Sequence, residues 1–304
     1  MAPRVAATPE VMRTRSWSDY ALLDSGGGRK LERYGPYTVV RPEPQCLWTP
    51  RLSAARWAAA DAVFDPTDDD EAGNWRFREG PKESWPLAWG PVTFHGRFTA
   101  FRHLAFFPEQ AANWAFLQGA VQAAREDGGQ PRVLNLFGYT GVASLVMAAA
   151  GAAVTHVDAS KKAVAWAREN AELSALTDRP IRWITEDARK YVQREVRRGS
   201  RYEGIILDPP KYGRGPDGQV WRLFDDLPEL AGLCAELLSE SAQFLVLNAY
   251  AERISGPALA GLLAEKLAGR GGQIAWGELA LEEDAGDRAI GMSFFARWTR
   301  EGAP

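Results

Sequence analysis

Three short stretches of the chain combine residue types that could hold a nucleoside and an acceptor group. The stretch VLNLFGYTG (133–141) is an apolar run that ends in a turn with two glycines. The stretch AAVTHVD ends in Asp158, and GIILDPPKYG (204–213) carries an aspartate, two prolines and a lysine. Ligands of α/β proteins bind where buried parallel strands end, so all three stretches are candidates for one site.

The glycine turn departs from a dinucleotide-binding loop. Such a loop reads G-x-G-x-x-G, because its backbone must approach a pyrophosphate at a helix N-terminus. Here the spacing is Gly138-x-x-Gly141, with one glycine missing. The turn suits a nucleoside without phosphates, such as S-adenosylmethionine (SAM), whose charged tail could meet backbone N–H groups, Asn135 and Thr140. The alternative is a tight strand-to-helix turn that binds nothing.

Two acidic residues follow the next two strand-like runs. A carboxylate at Asp158 could accept both hydroxyls of a ribose, as acidic residues do in dinucleotide folds. Ser160 offers a cap for the following helix and leaves Asp158 available. Asp187, after the third run, could accept from an adenine amino group. Its alternative role is an ordinary N-cap before ARKYV.

The sharpest signal is the Asp-Pro-Pro-Lys segment, Asp208, Pro209, Pro210 and Lys211. Two prolines remove two backbone donors and fix φ, which leaves a rigid set of carbonyl oxygens beside the aspartate. Such a loop could hold a flat polar substrate in line with a methyl group, where proximity supplies much of the rate acceleration. The alternative is a simple strand terminator.

The elements that must position these residues alternate between strand and helix. The strand-like runs are RVLNLF, AAVTHVD, IRWIT, GIILD and AQFLVLNA, which end at Phe137, Asp158, Thr185, Asp208 and Ala249, and helical segments separate them. This order predicts an α/β fold with a doubly wound, mostly parallel sheet. Two late runs, QIAWGELAL and GMSFFARW, could pair antiparallel.

Composition limits the class of protein. The 304 residues are 46% hydrophobic and 25% charged, with a formal net charge of -3. This is not the field of a dedicated nucleic-acid binder. We expect two domains, a small β-rich, tryptophan-rich domain at 1–103 and an α/β domain at 104–304. Two cysteines and scattered histidines predict no metal site, and no run predicts a membrane span or signal peptide. We expect a cytoplasmic protein.

Taken together, NLFGYTG, VDASKKAVAWARENAELSAL, EDA and LDPPKYG resemble the class I SAM-dependent methyltransferases. Among these, the large-subunit ribosomal-RNA cytosine-C5 group is most similar, and LAFFPEQAANW resembles its segment before the first strand. The resemblance covers about 104–250. It implies a seven-stranded Rossmann-like sheet with an antiparallel last strand and SAM as cofactor. The implied cofactor-binding residues are Gln110, Asn135, Phe137, Gly138, Tyr139, Thr140, Gly141, Asp158, Ala159, Ser160, Asp187, Ala188 and Asp208.

One feature of the C5 group is missing. Its members attack the base with a cysteine thiolate, and Ala249 falls about where that cysteine would stand. Neither Cys46 nor Cys234 is placed to replace it. The related guanine-N enzymes have asparagines in this region, so Asn248 could orient a base. The candidate catalytic residues are therefore Asp208, Pro209, Pro210, Lys211 and Asn248.

We thus expect methyl transfer from SAM, with S-adenosylhomocysteine as product, to a base nitrogen of RNA, and of ribosomal RNA in particular. The first alternative is a methyltransferase of a protein or small molecule. The second is a nicotinamide-dependent oxidoreductase, which the missing glycine disfavours. The third is a SAM-binding scaffold without catalysis, which the intact DPPK disfavours.

Overall fold

The structure, a computed structural model, describes residues 1–67, 72–126, 128–250, 253–284 and 286–302. The chain forms two compact units. Unit 1 contains Met1–Met12, Asn113–Leu279 and Met292–Pro304. Unit 2 contains Arg13–Ala112 and Ala280–Gly291. The division predicted after residue 103 differs from these ranges and stays a prediction.

The strands up to the middle of the chain are β1 Arg4–Val5, β2 Glu10–Thr14, β3 Tyr20–Gly26, β4 Arg29–Tyr34, β5 Tyr37–Pro42, β6 Ala62–Pro66, β7 Gly73–Phe77, β8 Trp85–Trp89 and β9 Val92–Gly96. The later strands are β10 Arg132–Leu136, β11 Ala153–Asp158, β12 Ile181–Thr185, β13 Gly204–Leu207, β14 Tyr212–Arg214, β15 Val220–Arg222, β16 Phe244–Ala249, β17 Gln273–Glu282 and β18 Ala289–Thr299. The helices are α1 Ala54–Ala58, α2 Ala111–Glu126, α3 Val142–Ala150, α4 Lys161–Leu173, α5 Ala188–Arg197, α6 Leu223–Leu237 and α7 Gly256–Lys266.

The main sheet has the predicted α/β architecture. Its strand order is β1-β17-β18-β16-β13-β10-β11-β12, and β2 also pairs with β17. The pairs among β10, β11, β12, β13 and β16 are parallel, whereas β18 runs antiparallel to β16. The mostly parallel seven-stranded core is confirmed. It is extended to nine strands in the described residues, because the two short N-terminal strands join β17.

The chain reverses direction across this sheet at β10. After β10 it builds β11 and β12 on one side, then crosses to β13 and β16 on the other. The central strands are apolar and buried on both faces, as β13 and β16 show at every position. The carboxyl end of β10 is therefore the topological switch point of the sheet, where α/β folds bind ligands.

Unit 2 is β-rich, as the sequence predicted for the N-terminal region. Strands β3 to β7 form one sheet in sequence order, and β8 and β9 form a hairpin. Its aromatic residues include core groups: Trp85 is only 2% exposed and donates its indole N–H to the carbonyl of Tyr34 at 3.0 Å. Buried polar groups also fill this unit. The Arg41 guanidinium contacts the Glu32 carboxylate at 2.7 Å, and both side chains are buried.

Candidate active site

Four predicted site residues lie in one row at the carboxyl edge of the sheet. Strand register places Leu136 opposite both Val157 and Leu207, and Leu207 opposite Leu247. The next residue on each strand is therefore also level with its neighbours. The row reads Asp158, Phe137, Asp208 and Asn248. Because neighbouring strands are about 4.8 Å apart, the sheet brings these distant parts of the sequence together.

The glycine turn has a strained backbone. Phe137 and Tyr139 have φ of 59° and 48°, in the left-handed region that non-glycine residues rarely adopt. Gly138 has an ordinary φ, but a Cβ there would lie 2.4 Å from the Cε1 atom of His156. A glycine is thus needed for close packing, while strain is concentrated in the residues beside it. Such strain is typical of binding loops that the surrounding fold holds in place.

A buried polar chain supports the turn from below. Asn135 donates its amide to the hydroxyl of Ser144 at 2.8 Å, and this hydroxyl hydrogen-bonds Nδ1 of His156 at 3.0 Å. All three side chains are buried. Burial lowers the pKa of His156 to about 3, so the imidazole is neutral. This hydrogen-bonded network was not predictable from the sequence, because Asn135, Ser144 and His156 meet only through the packing of β10, α3 and β11.

Asp158 links the turn to the next helix. Its carboxylate accepts the backbone N–H of Tyr139 at 2.9 Å and that of Ser160 at 2.8 Å. Burial raises the pKa of Asp158 even though both N–H groups favour the ionised form. A carboxylate has about four acceptor positions, so two bonds leave capacity for the two hydroxyls of a ribose. The remaining acceptor positions of Asp158 therefore fit the ribose of a nucleoside.

The helices α4 and α5 begin just after strands β11 and β12, at the same edge of the sheet as Asp158. Ser160 caps α4 through the backbone N–H of Ala163 at 3.2 Å, as the sequence predicted, with Ala159 between it and Asp158. Asp187 caps α5 by accepting the backbone N–H of Lys190 with Oδ1 at 2.9 Å, and Ala188 begins that helix. The cap that the sequence suggested as an alternative for Asp187 is present. It occupies one oxygen and does not exclude a contact from the other.

Helix α4 also packs against the glycine turn. Asn170 on this helix donates its amide to the carbonyl of Thr140 at 2.9 Å, and Thr140 is buried. Gly141 has a φ of 84° and precedes α3, and a Cβ there would lie 2.7 Å from that of Ala167. The turn is therefore held from both of its sides, by β11 and by α4.

The Asp-Pro-Pro-Lys segment is less open than the sequence predicted. Asp208 is half-buried and Pro209 is buried, while Pro210 and Lys211 are exposed. The carbonyl of Pro210 accepts the indole N–H of Trp221 at 2.8 Å. The carbonyl of Lys211 accepts the backbone N–H of Leu223 at 3.1 Å. Two carbonyls that were expected to face a substrate are thus used to fix the segment itself.

Trp221 connects the segment to the glycine turn and was missed at the level of sequence. Its ring lies 5.0 Å from the ring of Phe137, and only 4% of the residue is exposed. With its indole N–H on Pro210, one side chain contacts both halves of the candidate site. Its strand, β15, has three residues, which is too short to produce a periodic signal.

The other predicted residues have different surroundings. Asn248 is buried, and its side-chain oxygen accepts the amide of Asn113 on α2 at 3.0 Å. Its proposed action on a base stays a prediction. Gln110 is buried in unit 2, at the end of a 3₁₀ turn formed by Pro108–Gln110, whereas the other predicted site residues belong to unit 1.

No reactive thiol takes the place of the C5-type cysteine. Ala249 ends β16 and is fully buried. Burial raises the pKa of Cys46 to about 11, and burial in α6 also raises the pKa of Cys234. Both thiols are therefore protonated at neutral pH, whereas covalent attack requires a thiolate.

The described residues contain no group of three or more His, Cys, Asp and Glu side chains that could hold a metal ion. Within the same ranges, no helix has the length and apolar character needed to cross a membrane.

Comparison with known proteins assigns the class. No family model matches the chain. The crystal structure of a SAM-dependent methyltransferase from Agrobacterium tumefaciens superimposes with a TM-score of 0.94 at 50% identity, covering 98% of this chain and 95% of that one. The chain therefore belongs to the SAM-dependent methyltransferases, and SAM is its cofactor. The nicotinamide and scaffold alternatives are set aside.

Curated relatives place the chain near RNA-modifying enzymes. The ribosomal RNA large subunit methyltransferase K/L of Shewanella sp. (strain ANA-3) is 34% identical over 122 residues, which are 38% of this chain and 17% of that protein. The ribosomal RNA large subunit methyltransferase I of Aeromonas salmonicida is 39% identical over 82 residues, 27% of this chain and 21% of that protein. The matches thus cover about a fifth of either relative. The predicted resemblance to the RNA methyltransferases is confirmed.

Proposed function

We propose that the protein methylates a base nitrogen of RNA, with ribosomal RNA as the leading candidate. The observation that carries the substrate class is the similarity to two ribosomal RNA large subunit methyltransferases. The aligned row of Asp158, Phe137 and Asp208 supports the arrangement of a cofactor beside an acceptor. A cytoplasmic location fits this substrate and is part of the proposal.

The cofactor half of the site is the turn and the two acidic residues beyond it. In this proposal the backbone of 137–141 holds the amino acid tail, Asp158 accepts the ribose hydroxyls, and Asp187 lies on the adenine side. When bound, SAM supplies a methyl group activated by a positively charged sulfur. The strained turn is already fixed by His156 and α4, so little ordering is needed on binding.

The acceptor half is built from Asp208 and Pro209. The Asp208 carboxylate accepts an N–H of the base and orients the nitrogen lone pair towards the methyl group. As that methyl group passes from the sulfur to the nitrogen, which leaves S-adenosylhomocysteine, Asp208 receives the proton that the nitrogen loses. Pro209 is buried and rigid, so it holds this carboxylate in position. Lys211 and Asn248 are kept as candidate contacts to the base.

A nitrogen acceptor is favoured over carbon 5 of cytosine. Carbon 5 becomes nucleophilic only after a covalent adduct forms at the ring, which requires an enzyme nucleophile. Both thiols of this chain are buried and protonated at neutral pH. A nitrogen has its own lone pair and needs only positioning and removal of a proton.

The test is to locate the transferred methyl group. The protein is incubated with methyl-labelled SAM and an extract of cells lacking the native enzyme, and label is counted in RNA, protein and small molecules. We expect the wild-type protein to place label in RNA and the Asp208→Ala variant to place none. Asp178→Ala, which removes an exposed aspartate from a loop, is the matched control and keeps the wild-type level. Label in protein or small molecules alone would overturn the RNA assignment.

A further inference from the structure

The short hairpin that follows the acceptor segment has two distinct faces. Strands β14 and β15 pair antiparallel, with Tyr212 opposite Arg222 and Arg214 opposite Val220. These four residues form the outer face of the hairpin, and all four are exposed. Successive side chains of a strand point to opposite sides, so the pair between them, Gly213 and Trp221, forms the inner face.

The inner face fixes the hairpin to the candidate active site. Trp221 bonds the carbonyl of Pro210 and packs its ring on Phe137. At the far end, the backbone N–H of Gly215 donates to the carbonyl of Gln219 at 2.7 Å, and Lys190 contacts Asp217 at 3.0 Å. Trp221 thus ties the hairpin to the acceptor segment, and Asp208 lies only four residues before Tyr212.

The residues of the outer face have the chemistry of a surface for unpaired nucleotides. Tyr212 is 51% exposed, which a large aromatic side chain in a packed sheet rarely is. The side chain of Arg222 beside it is 67% exposed, and Phe224 at the start of α6 is 56% exposed. Aromatic rings that stack on bases and guanidinium groups that contact phosphates are the usual means of binding single-stranded RNA.

Nearby carboxylates are already engaged. Asp217 contacts Lys190, and Asp226 contacts Arg189 at 2.8 Å and accepts the backbone N–H of Arg222. Asp225 instead lies 3.9 Å from the Arg222 guanidinium, and because both side chains are exposed, solvent screens this ion pair. Arg214 has no ion pair among the described residues. The outer face therefore presents one cation without an ion pair, Arg214, and a second, Arg222, whose exposed pair with Asp225 is weak enough for a phosphate to replace.

We propose that the outer face of the β14–β15 hairpin binds the single-stranded RNA that flanks the target base. Tyr212 stacks on a neighbouring base, and Arg214 and Arg222 contact its phosphates. The inference rests on the proposed RNA substrate and adds the element that recognises it. Because the hairpin is fixed to the acceptor segment, RNA held there delivers its next base towards Asp208.

The test separates RNA recognition from cofactor binding. Initial rates are measured with unmodified large-subunit ribosomal RNA made by transcription, using wild type, Tyr212→Ala and Arg222→Gln. Fluorescence anisotropy with a short single-stranded oligoribonucleotide, in the presence of S-adenosylhomocysteine, gives RNA affinity without turnover. Calorimetry with SAM checks the cofactor site. Arg179→Gln, which removes an exposed arginine elsewhere in unit 1, is the matched control.

The expected result is a KM for RNA about tenfold higher in Tyr212→Ala, with a similar loss of oligonucleotide affinity and unchanged SAM affinity. Tyr212→Phe, which retains a ring, is expected to recover most of this loss. Wild type that methylates RNA while Tyr212→Ala and Arg222→Gln keep its KM and affinity would overturn this inference alone. Wild type that places no methyl group on RNA, but does on protein, would overturn the proposed function and the inference with it.

Discussion

Two carboxylates, the fully buried Glu32 of unit 2 and the half-buried Asp158 of unit 1, have opposite surroundings. Glu32 in unit 2 contacts the Arg41 guanidinium and the hydroxyls of Tyr20 and Tyr34. Burial alone would raise its pKa, but Arg41 above all lowers the pKa of Glu32 to about 2. Asp158 in unit 1 accepts only two backbone N–H groups, and burial raises its pKa. No ion pair to Asp158 exists among the described residues.

We propose that this difference separates a structural carboxylate, Glu32, from a cofactor-binding one, Asp158. Glu32 is charged and satisfied inside the protein, so its removal should affect folding. Asp158 is held in place by N–H groups but lacks a cation, so its remaining acceptor positions suit neutral hydroxyls. Substitutions at the Glu32–Arg41 pair should therefore change the free energy of unfolding, whereas substitution of Asp158 should change the affinity for SAM.

Arg41→Met should lower the free energy of unfolding by about 3–5 kcal/mol, because it leaves the Glu32 charge buried without its partner. Denaturant unfolding followed by circular dichroism measures the change. Arg76→Met is the matched control, since Arg76 pairs with Asp65 at the surface, where solvent screens the pair, and its loss should lower the free energy of unfolding far less. Equal losses in both variants would contradict a special role for the buried pair.

The stability of the protein at acidic pH should depend on Glu32. The folded pKa of Glu32 is about 2, below its ordinary value of 4.5. The unfolded chain therefore binds more protons in this range, and stability is lost as pH falls from about 4.5 towards 2, by about 3 kcal/mol in total. A pH series of denaturant unfolding measures this slope. The double variant Glu32→Gln with Arg41→Met should have a shallower slope, and an unchanged slope would count against the assignment.

Asp158→Ala should weaken SAM binding about a hundredfold, because two hydrogen bonds to a charged group are removed. Isothermal titration calorimetry measures the dissociation constant. Lys211→Ala, outside the cofactor half, should leave it nearly unchanged. If a folded Asp158→Ala protein binds SAM with wild-type affinity, Asp158 does not bind the ribose.

Asp187 allows the smallest and sharpest distinction. Asp187→Ala should cost about 1 kcal/mol of stability through loss of the helix cap, whereas Asp187→Ser retains a capping oxygen and should be nearly as stable as wild type. If Asp187 also binds adenine, both variants should bind SAM about five- to tenfold more weakly. If Asp187→Ser binds SAM like wild type, the residue serves the helix alone.

Much of the fold follows from local patterns. The parallel strands were predictable because buried strands are continuous apolar runs with polar residues at their ends, as around Leu136 and Asp158. Strands β1, β14 and β15 were not predictable, because two or three residues are too few for a period. Their pairing is decided by neighbours that are distant in the sequence.

The candidate site also has a part that was predictable from the sequence and a part that was not. The polar residues of the site were visible in the sequence because they lie at or just after the carboxyl ends of apolar strands. The contacts that fix them were not, because Ser144, His156 and Trp221 act through packing across different elements. For example, the Pro210 carbonyl already accepts the indole N–H of Trp221. One carbonyl fewer is therefore available to a substrate than the sequence alone suggested.

The proposed reaction is methylation of an RNA base nitrogen without covalent catalysis. The most direct measurement is to methylate unmodified large-subunit ribosomal RNA with the purified protein, digest it to nucleosides, and identify the product by mass spectrometry. We expect a nucleoside methylated on a base nitrogen, and we expect it to be absent when the Asp208→Ala variant is used. The appearance of 5-methylcytidine, or of no methylated nucleoside with active protein, would contradict the proposed reaction.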